Sequence, residues 1–417
     1  MNSVLLIANI YFFNADCLSE SSVLRATLDG QDTTGTTVGT WDVNKTKQEI
    51  GLVGIPVSCG QEKRGVEEGP AFLRAEGLVS RLKDLGHPVR DYGDVKVEGD
   101  SNITSTHAMK SDCVGKTSKN AMNAVNEVLS SGMLSINLGG DHTMSIGTVS
   151  AHAMAMDSHI SLLWVDAHSD INTPLSSPSG HIHGMPLAFL LHEMKPFLRK
   201  PTGMEWIQPC VRKDNFAYIA LRAIDPYERY FMDKLGITLY SIEDVDRIGI
   251  TEVIRLALAQ INPEGTRSLH VSFDIDSIDM LTVPSTGTPV IGGLSMRDAL
   301  VIAEEVHRSG QLRVLDLAEV NPRLAFGEDA KRTINCGVDL ISSFFGRERR
   351  GNLPLNLDPR VIEERARTKM PEQSQNKTPV GANEVPVNDF NGCSRSAVLQ
   401  GYLMQCSLFC FLFVISY

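Results

Sequence analysis

Residues 166–170 read DAHSD and follow directly on the apolar run SLLWV. In an extended strand alternate side chains point to the same face, so Asp166, His168 and Asp170 are predicted to face the same way. Carboxylates and imidazoles that share a face can bind a metal ion or move protons. The segment is therefore a candidate for a chemically active site.

Two further segments supply groups of the same kinds. Asp274 and Asp276 alternate in SFDID, and His142 follows two glycines in GGDHT, where it is free to point over a strand end. Four buried carboxylates without partners would be prohibitively costly, and no run of Lys or Arg lies near them in the sequence. We therefore predict two divalent cations. Oxygen ligands with some imidazole suit Mn²⁺, whereas a structural zinc site favours Cys and His.

Two metal ions about 3.5–4 Å apart can share a water molecule, lower its pKa and orient it as hydroxide. This chemistry suits hydrolysis of an unreactive electrophile, whether a phosphoester, an amide or a guanidinium. The alternative is that the six side chains are satisfied polar groups of the core or helix caps. The residues by themselves leave the electrophile undecided.

The elements that must position these groups follow a regular alternation. Short apolar runs end in polar or glycine-rich turns, and helix-like stretches lie between them. The predicted strands are 50–57, 134–140, 160–168, 216–222, 237–241, 269–276 and 312–320, and the clearest helices are 69–85, 251–261 and 296–309. Strands apolar on both faces that alternate with helices predict an α/β fold, a three-layer αβα arrangement around a central, mostly parallel sheet.

Four of these runs end in polar clusters: GGDHT, DAHSD, DID and AEVNP. In open parallel sheets, ligands bind at the carboxyl ends of the strands. The four clusters are therefore predicted to meet at one edge of the sheet and to form a single site.

Composition excludes some partners. The chain has 417 residues, 42% hydrophobic and 21% charged, with a net charge of -11. This balance argues against nucleic acid and gives no clear membrane partner, because phosphate binding needs clustered Lys and Arg. The eight cysteines are scattered without a C-x-x-C pair, which favours reduced thiols in an intracellular protein over a disulfide framework.

The two ends differ from the middle. We predict a poorly ordered N-terminal extension over residues 1–48, a catalytic domain over 49–352, and a C-terminal tail over 353–417 that is polar and proline-rich before a short apolar end. The start of the chain is a poor secretory signal and a poor mitochondrial transit peptide. The apolar end is shorter than the roughly twenty residues that span a bilayer, which favours a tail outside the core over the alternative of a short membrane anchor. The predicted location is cytoplasmic, with mitochondrial as the alternative.

Several long motifs in order resemble the arginase family of the ureohydrolase superfamily. They are GGDHTMSIG, WVDAHSDINTPLSSPSGHIHG, SFDIDSIDM and LDLAEVNP, and the resemblance covers residues 49–352. It implies the ureohydrolase fold, two Mn²⁺ ions per subunit and a metal-bridging hydroxide that cleaves the guanidinium group of L-arginine to L-ornithine and urea. It also implies a role in arginine metabolism such as the urea cycle, and a homotrimer.

The resemblance implies roles for individual residues. Asp166 and Asp274 would bridge the two ions; His142 and Asp170 would complete one site, and His168 and Asp276 the other. Three residues would take part in catalysis: His183 as proton shuttle, Asp170 as hydrogen-bond acceptor, and Glu319 as partner of the substrate guanidinium. The implied substrate-binding residues are Asn172, Ser177, Ser179, His181, Asp225, Glu228, Thr288 and Glu319.

The sequence departs from the family pattern at two of these positions. His181 stands where the family usually has Asn, which puts substrate affinity and its pH dependence in question. Ser177 replaces the more usual Thr and keeps the hydroxyl group. In the subunit interface that the resemblance implies, Arg349 would reach Asp298 of a neighbouring subunit.

Three other functions stay open at this stage. A ureohydrolase for another guanidino substrate, such as an agmatinase, is kept open by His181 and disfavoured by Asn172, Ser179 and Asp225. A non-catalytic arginase-like protein is disfavoured because all six ligands are present. A binuclear phosphoesterase is disfavoured because no basic phosphate clamp lies near the site.

Overall fold

The computed structural model describes residues 47–99 and 108–352, and positions 360, 361, 364, 365 and 367. The chain divides into two units, Met1–Leu357 and Asp358–Tyr417, and the sheet and the helices named below belong to the first. The predictions of a poorly ordered extension over 1–48 and of a tail over 353–417 lie almost entirely outside the described residues.

The described residues form one sheet of eight strands, all of which pair in parallel. The strands are β1 (Ile50–Ile55), β2 (Val89–Asp94), β3 (Leu134–Gly139), β4 (Ile160–Val165), β5 (Phe216–Leu221), β6 (Thr238–Ser241), β7 (Ser268–Asp274) and β8 (Leu312–Ala318). Their order across the sheet is β2-β1-β3-β8-β7-β4-β5-β6. The predicted α/β class with a parallel sheet is confirmed.

Seven of the eight strands coincide with the predicted apolar runs, but β2 was missed. β2 reads VRDYGD and lies at the edge of the sheet, where it pairs with β1 alone. All of its residues are exposed or partly exposed. An edge strand whose side chains stay largely accessible to solvent does not need the apolar pattern by which buried strands are recognised.

Ten α-helices accompany the strands within residues 47–99 and 108–352. They are α1 (Gly69–Ala75), α2 (Leu78–Asp84), α3 (Ser111–Ser130), α4 (Met144–Ala155), α5 (Pro186–Leu190), α6 (Pro226–Leu235), α7 (Ile242–Ile248), α8 (Ile250–Ile261), α9 (Met296–Ser309) and α10 (Glu328–Phe344). The predicted helix over 69–85 is two helices, because Gly77 interrupts it in the left-handed conformation with φ 88°. None of the described helices is long and apolar enough to cross a membrane.

Both faces of the sheet are buried, as the alternation of side chains along β4 shows. Leu163 and Val165 pack in a cluster with residues of α8, α9 and α10. Leu162 and Trp164 pack in a different cluster with residues of α5 and α6. Side chains of one strand thus enter two separate apolar layers, which gives the three-layer αβα arrangement.

The four strands that carry the predicted chemistry are neighbours. β3, β8, β7 and β4 occupy consecutive positions in the middle of the sheet. Because all pair in parallel, their carboxyl ends lie along one edge. The predicted site is therefore central in the fold.

One prediction about the cysteines was wrong. Cys59 and Cys113 are joined in a disulfide, with Cα atoms 6.3 Å apart and a sequence separation of 54. Cys210 and Cys336 are free thiols. Spacing along the chain does not show this pairing, because it is the fold that brings the loop after β1 against the first turn of α3.

The arginine expected at a subunit interface has a partner within its own chain. Arg349 donates Nε to Oε1 of Glu304 at 2.8 Å and its Nη2 to Oε2 at 2.9 Å. Asp298 caps α9 by accepting hydrogen bonds from Ser295. Both charges that the family resemblance placed between subunits thus have intrachain partners in the structure.

Candidate active site

The six predicted metal ligands meet at the carboxyl ends of β3, β4 and β7. Two groups of three have one ligand atom each within 4.8 Å of the others: His142 with Asp166 and Asp274, and His168 with Asp166 and Asp276. Asp166 belongs to both groups. Asp170 joins the first, since its Oδ2 lies 3.2 Å from Nδ1 of His142.

The donor atoms fit bound cations. Nδ1 of His142 lies 3.2 Å from one oxygen each of Asp166, Asp170 and Asp274. Within residues 47–99 and 108–352, this buried nitrogen and Oδ1 of Asp276 have no hydrogen-bond partner. A buried nitrogen and a buried carboxylate oxygen without hydrogen bonds are atoms that a metal ion would satisfy.

The pKa shifts of the acids also favour a bound cation. Burial raises the pKa of Asp274, and the charges of Asp276 and Asp166 raise it further. Burial and the charge of Asp166 raise the pKa of Asp170 to about 6. Carboxylates crowded in this way repel one another when ionised, and a divalent cation removes that penalty.

The backbone of residues 166–170 is not the extended strand that the alternation predicted. β4 ends at Val165, so the DAHSD segment is not a continuing strand. Oδ1 of Asp166 accepts a hydrogen bond from the backbone of His168 at 2.7 Å, and Asp170 adopts a left-handed conformation with φ 47°. The alternation argument was therefore wrong for this segment, although its three polar side chains do lie together.

Buried side chains of neighbouring strands fix the position of His142. Its Nε2 lies 2.9 Å from Oγ of Ser272, which lies 3.5 Å from Oδ2 of Asp316. Its ring stacks on Trp164 with centroids 4.1 Å apart, and the indole Nε1 donates to Oδ2 of Asp166 at 2.9 Å. With Nε2 committed to the serine, Nδ1 is the nitrogen left to face the acids.

His183 and Glu319 form a buried pair beside the acids. Nδ1 of His183 donates to Oε1 of Glu319 at 2.9 Å, and the same oxygen accepts the backbone N–H of His142 at 2.9 Å. Burial acts to lower the pKa of His183, but the charge and the hydrogen bond of Glu319 outweigh it and raise the pKa to about 9. Glu319 has φ 63°, an unfavourable backbone conformation typical of functional sites.

A cavity of about 480 Å³ opens over this cluster. His183 lines it, together with all but one of the predicted substrate-binding residues: Asn172, Ser177, Ser179, His181, Asp225, Glu228 and Thr288. The exception is Glu319, which is not among the lining residues and whose side chain is only 2% exposed. The structure thus places Glu319 behind His183, where it orients the imidazole.

The part of the cavity lining near α6 is built by Asn172, Asp225 and Glu228, which are joined by hydrogen bonds. Asn172 donates Nδ2 to Oδ2 of Asp225 at 2.9 Å. Asp225 is the N-cap of α6, and its backbone N–H donates to Glu228 in a capping box. Burial, and to a lesser extent the charge of Asp170, raises the pKa of Glu228 to about 7. Helix capping therefore fixes a polar, acidic end of the cavity.

The segment 177–183, which we name the substrate loop, also contributes to the cavity lining. Ser177 and Ser179 hold its turn, since their hydroxyl groups accept the backbone N–H groups of Gly180 and His181. His181 Nε2 lies 4.0 Å from Oε1 of Glu62, away from the six acids and imidazoles. Burial and the charge of His183 lower the pKa of His181, which keeps the ring neutral near neutral pH.

Comparison with known proteins identifies the family. The family model described as Arginase family matches residues 48–346. Arginase-1 of Oryctolagus cuniculus is 42% identical over 307 residues, which cover 73% of this chain and 95% of that protein. The chain belongs to the arginase family.

Two further members of the arginase family resemble this chain over a similar span. The mitochondrial arginase-2 of Homo sapiens is 39% identical over 337 residues, 79% of this chain and 95% of that protein. The structure of Entamoeba histolytica arginase in complex with L-ornithine matches with a TM-score of 0.64 and 30% identity over 72% of this chain and 99% of that one. As a member of this family, the chain is a hydrolase that acts on the guanidino C–N bond.

Sequence reasoning missed several residues that build the site in this arginase-family chain. Asp141 accepts the backbone N–H of Gly60 at 2.8 Å and the hydroxyl of Thr143. Ser272 and Asp316 support His142 from neighbouring strands. Asp141 stands inside the GGDHT motif and was open to detection, but nothing in the sequence shows which buried serine lies beneath a given histidine.

Proposed function

We propose that the protein hydrolyses the guanidinium group of L-arginine to L-ornithine and urea, with two Mn²⁺ ions held by His142, Asp166, His168, Asp170, Asp274 and Asp276. The observation that carries the proposal is the pair of ligand groups that share Asp166 beneath a cavity lined by the predicted substrate-binding residues. When bound, the metal ions supply a water molecule acidified enough to act as a nucleophile at neutral pH.

Side chains that line the cavity bind the amino-acid end of the substrate. The hydroxyl groups of Ser177 and Ser179 and the amide of Asn172 supply hydrogen-bond donors suited to an α-carboxylate, and Asp225 supplies a charge suited to an α-ammonium. The guanidinium end is then directed toward the acids at the opposite side of the cavity. This arrangement holds the scissile carbon in place before the reaction.

His183 carries the proton. It lines the cavity, and Glu319 fixes its tautomer because Nδ1 is committed to the carboxylate. Nε2 is thus the nitrogen available to deliver a proton to the leaving amine. Glu319 also strengthens the basicity of the ring, so that the imidazole can recover a proton from solvent afterwards.

The test is urea release by the purified, Mn²⁺-loaded protein with L-arginine and with agmatine, which lacks the α-carboxylate. We expect L-arginine to be preferred by several powers of ten in kcat/KM, because agmatine leaves the carboxylate-binding groups unpaired. Preference for agmatine would establish the agmatinase-like alternative. Metal binding without urea from either compound would establish the non-catalytic one.

We further propose a homotrimer located in the cytoplasm, with mitochondria as the alternative. The family membership supports the homotrimer, and the human relative named as mitochondrial keeps mitochondria as the alternative location. Sedimentation equilibrium and fractionation of cells that produce the protein test them separately.

A further inference from the structure

The disulfide between Cys59 and Cys113 links two segments that hold the substrate loop. Cys59 lies in the loop after β1, and Cys113 lies in the first turn of α3. Both residues are buried, with 6% and 4% of their surface exposed. The two cysteines are 54 positions apart, so without the bond the only covalent link between the segments is a long intervening chain.

On the Cys59 side, the contact is with the end of the substrate loop that carries His183. The backbone N–H of His183 donates to the carbonyl of Gly60 at 3.2 Å, directly after Cys59. Gly60 is itself fixed, because its N–H donates to Asp141 and a Cβ added to it would lie 2.4 Å from the side chain of Thr143. The position of Gly60 therefore sets the position of the His183 backbone.

On the Cys113 side, the contact is with the tip of the substrate loop. The backbone N–H of Met109 donates to the carbonyl of Gly180 at 3.0 Å, shortly before α3 begins at Ser111. Gly180 lies between Ser179 and His181, and its own N–H donates to Ser177. One segment thus holds the tip of the substrate loop, another holds its end, and the disulfide fastens the two segments to each other.

We propose that the Cys59–Cys113 disulfide is a redox-controlled clamp that keeps the substrate loop in its binding conformation. A small dithiol would open it: a thiolate attacks one sulfur, the S–S bond breaks, and the second thiol of the reductant completes the exchange. Two cysteine thiols form and the dithiol becomes a disulfide. In a reducing compartment the clamp is open. Exchange with a small-molecule disulfide closes it, since the two cysteine thiols become the Cys59–Cys113 bond while the small-molecule disulfide is reduced to thiols. Disulfides of cytosolic proteins are usually of this responsive type.

Opening the clamp frees the substrate loop without touching a proposed metal ligand. The expected effect is a rise of about three- to tenfold in KM for L-arginine, since binding must then order the loop. The Mn²⁺ content should stay the same. The inference depends on the proposed function only for this kinetic measurement.

The experiment compares the full-length, Mn²⁺-loaded protein before and after treatment with a dithiol. Alkylation and peptide mapping count the free thiols, and amide hydrogen exchange follows the N–H groups of His183 and Met109. We expect both amides to exchange faster after reduction, while the N–H of Leu187, which donates to the carbonyl of Asp170, is unchanged. A Cys59→Ser/Cys113→Ser variant should resemble the reduced protein and ignore the dithiol, and a Cys210→Ser/Cys336→Ser variant should respond like the parent.

The outcomes separate the two proposals. Unchanged exchange at His183 and Met109 after complete reduction overturns the clamp, as does alkylation of Cys59 and Cys113 in protein that was oxidised and never reduced. Faster exchange at these amides without urea release in either state supports the clamp and removes the proposed function instead.

Discussion

His183 lines the cavity with one ring nitrogen committed to Glu319, and this commitment leaves the other to act on substrate. Replacing His183 with Ala should lower kcat by about 10²–10⁴-fold, because a positioned general acid is lost. The Mn²⁺ content should not change, since His183 is not a proposed ligand. Steady-state urea assays and metal analysis measure both quantities.

His159→Ala is the matched control, because His159 is an exposed histidine that does not line the cavity. It should leave kcat within the error of the assay. An unchanged kcat in the His183 variant would show that another group carries the proton.

His181 lies on the cavity rim near Glu62 and is separate from the metal-ligand groups. His181→Asn introduces a smaller amide, which should lower KM for L-arginine by about two- to tenfold and leave kcat nearly unchanged. Kinetic assays with metal analysis test this. Loss of Mn²⁺ from the variant would mean that His181 is a ligand after all.

At the residue scale, the side chains of the active site could be predicted from the sequence, but the residues that hold them in position could not. The alternation of Asp, His and Asp in DAHSD drew attention to the right side chains, although Asp170 arrives through a left-handed turn. Glu319 was predicted as a partner of the substrate, yet it is buried behind His183. A sequence shows which residue types are present, but tertiary packing decides which of them face the cavity and which face each other.

At the element scale, β7 and β8 carry a support for His142 beneath the site. Ser272→Ala removes the hydroxyl group that lies 2.9 Å from Nε2 of His142. The Mn²⁺ affinity should fall by about 10–100-fold, because the imidazole loses the contact that fixes its tautomer and orientation. Isothermal titration of the metal-free protein with Mn²⁺ measures the change.

Ser161→Ala is a control of the same type on the neighbouring strand β4. Ser161 is equally buried, and within residues 47–99 and 108–352 its hydroxyl has no hydrogen-bond partner. Its removal should leave Mn²⁺ affinity unchanged. Equal losses in the two variants would mean that Ser272 acts only through general packing.

α9 is joined to the segment after α10 by the bidentate pair of Glu304 and Arg349. The hydrogen bond from Arg349 outweighs burial and lowers the pKa of Glu304 below its ordinary 4.5. A carboxyl group whose pKa is lower in the folded protein stabilises the fold at pH values above its pKa in the unfolded chain. This stabilisation is lost as the pH falls through its pKa in the folded protein. Glu304→Gln should therefore cost roughly 1 kcal/mol at pH 7, because Arg349 stays partly exposed to solvent, and less near pH 3.

Urea unfolding at the two pH values measures this difference. The control is Glu305→Gln, since Glu305 forms an exposed pair with Arg308 on the same helix. It should change stability by about a few tenths of a kcal/mol at either pH. A loss in the Glu304 variant that does not depend on pH would exclude the ionic pair as its cause.

Strands and helices could be predicted where burial imposes a pattern of apolar residues on the sequence. The seven strands predicted above and the helices α8 and α9 follow apolar patterns, so their positions could be read from the sequence. β2 escaped because it is an exposed edge strand. The Cys59–Cys113 bond escaped because the two cysteines belong to different elements, and only the packing of α3 against the loop after β1 brings them together.

At the scale of the whole molecule, every described site residue lies between positions 47 and 352. A protein of residues 47–352 should therefore keep kcat/KM for L-arginine within about threefold of the full chain. Urea assays on the two proteins compare them directly. A large loss would show that the flanking segments take part in folding or catalysis.

The order of the strands also determines when a growing polypeptide can acquire its active centre. β3 leaves the ribosome early, but in the finished sheet it pairs with β8, which is completed only at Ala318. A nascent chain that ends before that point lacks a central strand and cannot bring its histidines and acids together. Partial translation products should thus neither retain Mn²⁺ nor release urea, and the exposed edges of their unfinished sheet make them targets for chaperones.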